Sequence, residues 1–191
     1  MTKPLPDDAN LTGTLLAAMP VMTDPRFARA LIYVCAHSAD GAMGLVVNNV
    51  SDELSFSAVI GQLGIKGKAL PKGIPVHLGG PVEGGRGFVL HSPDYAHEST
   101  LAIDDDFALT ATVDILHAIA DGKGPRRLVF ALGYAGWSPG QLDQEIQQNG
   151  WLVVPADEDL VYGVEPALKW TRALGRLGID PSLLSSTAGH A

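Results

Sequence analysis

This 191-residue chain is poor in cysteine: Cys35 is the only one. A disulfide scaffold is therefore excluded. No segment approaches the roughly 18 consecutive apolar residues that a membrane span requires. Charge is scarce too, at 18% of residues, against about 25% in an average soluble protein. Bases are scarcer than acids, 13 against 21, for a net charge of −8. That balance argues against non-specific nucleic-acid binding, which needs Lys and Arg to neutralise phosphates. The start of the chain (Lys3, Pro4, Pro6, Asp7, Asp8) lacks a basic region followed by a long apolar run. It does not read as a secretory signal. With one cysteine, the expected compartment is the cytoplasm, away from any membrane.

What is present is apolar mass and glycine. Hydrophobic residues make up 46% of the chain, enough to offset chain entropy and exclude wholesale disorder. There are 22 glycines in 191 residues, well above the usual share of about 7%. The chain reads as a loose polar lead over 1–10 and one domain over 11–191.

Strands are predicted at 13–19, 30–36 and 42–48, the last two joined by the turn Ser38-Ala39-Asp40-Gly41. The run ALIYVCA at 30–36 is apolar throughout, as in a strand covered on both faces. Further strands are expected at 75–78, 86–91, 99–103, 127–132 and 151–154. Helices are expected at 56–63, 108–120, 139–148 and 165–177. The 108–120 assignment rests on Leu109, Val113, Leu116 and Ala120 at helical spacing. Strands cluster early and interleave with helices late, so a simple doubly wound parallel sheet is excluded. The fold class is α/β of an α+β-like kind: a mixed, largely antiparallel, bulged sheet with helices packed on it in a single domain. Gly44 and Gly87, inside strand patterns, mark bulges or close backbone approach.

Gly136-Trp137-Ser138-Pro139-Gly140 matches the G-x-S-x-G nucleophile elbow, between a strand and a helix. The elbow needs the N–H of the residue after the serine, and Pro139 has none. Helix capping explains every residue instead: Ser138 as N-cap, Pro139 at the first helical position, Gln141 completing a capping box. The loop Gly79-Gly80-Pro81 could cradle a phosphate. It lacks the P-loop lysine and a following helix, so a structural loop with positive-φ residues is the better account. Arg86 is the nearby cation for an anionic ligand.

His37, His77, His91, His97, His117 and His190 show no zinc spacing. Asp104, Asp105 and Asp106 could attract a divalent cation, but more simply face the positive end of a helix. Cys35 and His37 would share a strand face, where a buried inert thiol is the simpler reading. Lys169, Arg172 and Arg176 recur at i, i+3 and i+7 and are expected to share a solvated face. Lys123, Arg126 and Arg127 form a second basic spot. Tyr134 and Trp137 follow a buried strand and are candidate binding groups.

Six blocks in order carry a resemblance over residues 11–191: LLAAMPVMTDPRF at 15–27, GAMGLVVN at 41–48, HLGGPV at 77–82, RGFVLH at 86–91, LGYAGW with GQL at 132–142, and AGHA at 188–191. The chain resembles the YqgE/AlgH family of bacterial proteins. The resemblance implies a cytosolic protein with a bulged, mainly antiparallel sheet and no established catalytic activity. It also implies the label of transcriptional regulator, since some members have been linked to gene expression, notably alginate production. The family form W-x-x-G-Q-L includes neither Ser138 nor Cys35, in line with the capping reading. The matching C-terminal block implies that the tail is part of the fold.

The expected function is a non-enzymatic regulatory or binding protein with a protein or small-molecule partner rather than DNA. The alternative is a small-molecule or nucleotide-binding enzyme using the Gly79–Gly80 loop, Arg86 and His91. Candidate ligand-binding residues are Asn48, Gly79, Gly80, Pro81, Arg86, His91, Tyr134 and Trp137. No catalytic residue, metal or cofactor is assigned. A strand after 75–78 that runs back antiparallel would put GGPV and His91 at opposite ends, so at most a subset can converge.

Overall fold

The computed structural model describes residues 10–67 and 70–184. Most of the polar lead and the AGHA block at 188–191 lie outside them. In chain order the strands are β1 (Thr14–Ala18), β2 (Leu31–Ser38), β3 (Gly41–Val46), β4 (Val50–Ser55), β5 (Pro75–Leu78), β6 (Val82–His91), β7 (Leu101–Ala102), β8 (Ala108–Thr110), β9 (Leu128–Trp137) and β10 (Trp151–Pro155). The helices are α1 (Phe56–Gln62), α2 (Val113–Ala120), α3 (Gln141–Gln147) and α4 (Pro166–Arg176). The sheet order is β10-β1-β2-β3-β9-β6-β8-β7, with the β4–β5 pair attached to β9. All pairings are antiparallel except β5 with β9. The molecule is therefore a mixed α/β domain with a curled, bulged sheet.

Successive strand residues point to opposite faces, and here both faces are buried. Leu15, Leu31, Tyr33, Leu45, Phe88, Leu90 and Ala131 enter one core with Trp170, Ala173 and Leu174 of α4. Leu16, Ile32, Val34, Val46 and Trp137 enter a second core with Leu142 of α3. Val76, Val89 and Phe130 meet α1 and α2 in a third. Double-sided burial explains the unbroken apolar runs of β1, β2 and β9.

Strand β9 organises the sheet. Its residues 130–132 pair with β5 in parallel, and its residues 135–137 pair with β3. The change of partner falls at Gly133, at φ 74°, where a Cβ would come within 2.5 Å of the Gly80 carbonyl oxygen. Only glycine tolerates that contact and that dihedral. β6 lines the other side of β9, with a register shift between Val82 and Gly87. A second shift sits between Val34 and Ala36, opposite Gly44. The two strand glycines thus lie at the bulges.

Several local expectations change. Residues 108–120 are not one helix: β8 occupies 108–110, and α2 starts only at Val113. Leu109 is one helical repeat from Val113, which the short strand satisfies by coincidence. β6 starts at Val82 rather than 86, and β9 runs on to Trp137. β4 has a polar, largely exposed sequence that carries no strand signal. β5 and β6 do not pair directly, because β9 lies between them. Their directions are nevertheless opposed, since β5 is parallel and β6 antiparallel to β9. The N-cap of α3 is Gly140, at φ 73°, and not Ser138. Half of the expected capping box forms: the Ser138 N–H donates to Gln141 Oε1 at 3.0 Å.

Candidate functional site

The β2–β3 hairpin has a concavity at each end. At its turn end lies a cleft of ≈ 960 Å³ between the hairpin, β6, β7 and β9. Arg86 and Phe88 stand two residues apart on β6, so they share a strand face. The Arg86 guanidinium lies 5.2 Å from the Phe88 ring centre. Phe88 in turn meets the Tyr134 ring of β9 edge-on, at 5.6 Å. Arg86 also faces Glu83 at 3.6 Å, and both are about half exposed. The result is a guanidinium–phenyl–phenol ladder along one wall, with Met43, Trp137 and Leu101 elsewhere in the lining. Trp137 is 93% covered and packs against Trp151.

Cys35, His37 and Ser138 line the same cleft, and Ser138 caps no helix and precedes Pro139, which has no N–H to offer an oxyanion. Burial pushes the Cys35 thiol up to about 12, so it is protonated at neutral pH and a poor nucleophile. His37 Nδ1 accepts the Leu11 N–H at 3.0 Å, which leaves its proton on Nε2, 3.6 Å from Asp143. His37 is thus engaged by the chain's N-terminal stretch and α3, with no hydrogen bond to Cys35.

The remaining candidates lie elsewhere. His91 is fully buried at the far end of β6, paired with Leu128. Five residues separate it from Arg86, about 16 Å along a strand. Its Nδ1 donates to the Ser92 carbonyl at 2.8 Å. A carbonyl can only accept, so His91 Nε2 is bare and accepts the Thr110 hydroxyl at 2.8 Å. Thr110 must then accept from Thr100, 2.9 Å away. Burial lowers the affinity of His91 for a second proton, which would also break this hydroxyl chain.

Asn48 spans the loop before β2: its Oδ1 accepts the Leu31 N–H and its Nδ2 donates to the Arg29 carbonyl, both at 2.9 Å. Gly79 is pressed between β9 and β3. Its N–H donates to Leu132 O at 2.8 Å, and its carbonyl accepts Val46 N–H at 2.9 Å. A Cβ on Gly80 would sit 2.1 Å from the Tyr134 carbonyl carbon. Pro81 follows, outside the cleft lining. The loop's glycines therefore serve close approach of two backbones. Of the eight candidates, the structure gathers Arg86, Tyr134 and Trp137 at one cleft. Gly79, Gly80 and Pro81 lie outside it, as do His91 at the far end of β6 and Asn48 at the hairpin's other end.

The Lys169–Arg172–Arg176 stripe does not form. Lys169 is 98% covered, and its ammonium donates to Val47 O at 2.9 Å and Val161 O at 2.6 Å. Arg176 pairs with Asp157 and Asp159. Lys169 adjoins Trp170 and stands four residues before Ala173, on the apolar side of α4. That spacing was the available signal, and the charge concealed it. Burial pushes the Lys169 amine down to about 8. Under it lies His77, held at about 4 by burial and then by the Lys169 charge. Among the described residues no cluster of three or more His, Cys, Asp or Glu could hold a metal ion. No helix among them is long and apolar enough to cross a membrane.

A mixed α/β domain built on a curled, mainly antiparallel sheet is the structural class. The family model described as AlgH-like matches residues 15–182. A UPF0301 protein of Rhodospirillum rubrum is 58% identical, over 95% of this chain and 94% of that one. A UPF0301 protein of Cereibacter sphaeroides is 55% identical, over 95% and 100%. The solution structure of the AlgH protein from Pseudomonas aeruginosa superposes with a TM-score of 0.77 at 41% identity, covering 100% of both chains. A Corynebacterium diphtheriae crystal structure shares the fold, with a TM-score of 0.69 at 22% identity over 92% and 90%. This chain belongs to the AlgH-like family of bacterial proteins.

Proposed function

We propose that this protein is a cytoplasmic, non-enzymatic binding protein whose small-molecule or protein partner enters the cleft beside Arg86, Phe88 and Tyr134. The supporting observation is the ladder itself. Its half-exposed guanidinium is open to a partner above the buried Phe88 ring and beside the partly exposed Tyr134, while Cys35 is protonated and His37 is engaged. Orientation by one charged group on an apolar wall is how small-molecule sites ordinarily work. Any effect on gene expression then runs through that partner rather than through DNA. The net charge of −8 supports this, as does the loss of Lys169 and Arg176 from the basic stripe.

The test is a binding survey by NMR on ¹⁵N-labelled protein, with a metabolite set and with promoter DNA as separate arms. The expected result is a saturable metabolite response at Arg86, Phe88 and Tyr134 that Arg86→Ala abolishes. Sequence-specific DNA binding that disappears in Arg172→Glu/Arg176→Glu would refute the proposal.

A further inference from the structure

The opposite end of the β2–β3 hairpin carries a second concavity, of ≈ 360 Å³, between the loop before β2 and the first turns of α4. Its lining includes Arg26, Arg29, Asn49, Ala167, Trp170 and Thr171, and no acidic residue among the described ones. In a chain with net charge −8, an acid-free pocket with two arginines is a marked local exception.

The two arginines differ. Arg26 is tied to Asp24, with Nη2 at 2.7 Å and Nε at 3.0 Å from its carboxylate oxygens. Arg29 forms no ion pair among the described residues. Its guanidinium instead lies 5.2 Å from the centre of the Trp170 ring. A guanidinium on an indole keeps its in-plane N–H donors free for an incoming oxygen pair. Arg29 also has φ 53°, a left-handed conformation rare for a residue with a long side chain. The Asn48 amide, bonded to the Arg29 carbonyl, holds that turn in place. Strain that neighbours maintain around a charged, unpaired side chain is characteristic of binding sites. Next to Trp170, the Lys169 ammonium bonds the Val47 carbonyl, one residue before Asn48, with no carboxylate partner among the described residues. A buried positive charge acts through a low dielectric and is screened less than a surface one.

We infer that this pocket is an anion site, in which Arg29 receives the phosphate or carboxylate group of a small molecule. It is independent of the cleft reading, and Arg86 takes no part in it. The test titrates inorganic phosphate, and separately acetate, into ¹⁵N-labelled full-length protein at constant ionic strength. Saturable shifts are expected at the Arg29 and Asn49 amides and at the Trp170 indole N–H. A phosphate-only response identifies a phosphoryl ligand, and an acetate-only response a carboxylate. Arg29→Ala should weaken binding by about tenfold or more, the worth of a charge-assisted hydrogen bond. Ala167→Asp is the decisive second variant. An acid in the first turn of α4 favours the helix, yet it should repel the anion. It therefore tests binding even if Arg29→Ala fails to fold. Arg172→Ala, on α4 outside the lining, should leave the affinity unchanged. The inference is overturned if neither anion saturates, if Arg29→Ala and Ala167→Asp both bind normally, or if Arg172→Ala weakens binding equally.

Discussion

The two ends of the β2–β3 hairpin differ in charge and in openness. The turn end opens on a cleft of ≈ 960 Å³, where Arg86 faces Glu83 and where Asp40 also lines the wall. The other end holds ≈ 360 Å³, and among the described residues Arg29 has no ion pair and no acid is in the lining. A compensated arginine on an aromatic wall suits a larger, mostly apolar partner. An uncompensated one stacked on an indole suits a small anion. One hairpin can thus present two chemistries, because its strands are covered on both faces and only their ends meet solvent.

The largest expected effect tests the junction between these ends, where the Gly79–Gly80 loop crosses β9. Gly80→Ala puts a Cβ 2.1 Å from backbone of Tyr134. Backbone there cannot move without breaking β9 pairing, so we expect a loss of about 3 kcal/mol or more in urea unfolding. Disturbance of both concavities in the same variant would confirm that the junction holds them together. A loss below about 0.5 kcal/mol would show that the loop is free to shift.

Next come the buried bases on the Arg29 side. His77 falls from 6.5 to about 4 in the folded protein. The unfolded chain therefore binds more protons between those values, and stability drops as pH falls from 6.5 toward 4, by about 3 kcal/mol. His91, also lowered, adds to the drop. His77→Leu should flatten that slope. An unchanged slope would mean that His77 does not carry it. Lys169 gives a change of the same sign at higher pH. Its folded value of about 8 lies below the ordinary 10.5, so stability rises with pH between the two, again by about 3 kcal/mol. Lys169→Met should abolish the rise, although it leaves the Val47 and Val161 carbonyls without their donor.

The smallest effect is at the cleft. Arg86→Ala should change stability by less than about 0.5 kcal/mol, because a half-exposed pair contributes little. It should nevertheless remove partner binding there. A large destabilisation would make Arg86 a structural residue and weaken the contrast between the two ends.

Much of the sheet was legible because its signal is local. The apolar runs at 30–36 and, within RLVFAL at 127–132, at 128–132 mark strands buried on both faces. Gly44 and Gly87 announced the bulges. β4 was not legible, since VSDELS is polar and its strand geometry comes from pairing with β5 at only Val50 and Ser55. The helix at 108–120 was overextended because Leu109 fits both a helical repeat and a buried strand. The capping box was half read: Gln141 reaches back to Ser138, but the helix begins after Gly140. Of the candidate site, Arg86, Tyr134 and Trp137 were named from their blocks. Arg29 lies two residues past the block LLAAMPVMTDPRF at 15–27, and neither its backbone conformation nor its partner Trp170, 141 positions later, leaves a mark near residue 29.

The sequence by itself determined the family, the double-sided burial of the strands, the acidic balance and the failure of the serine elbow. Each depends on residue identity or on short-range spacing. Only the tertiary structure decided which charges are free. Lys169 is spent on two distant carbonyls, Arg176 on two aspartates, Arg26 on Asp24 and Arg86 on Glu83, whereas Arg29 has no ion pair among the described residues. Hydrogen-bond satisfaction is a property of where backbones cross. Those crossings are set by β9 exchanging β5 for β3 at Gly133, a long-range event that no local pattern records.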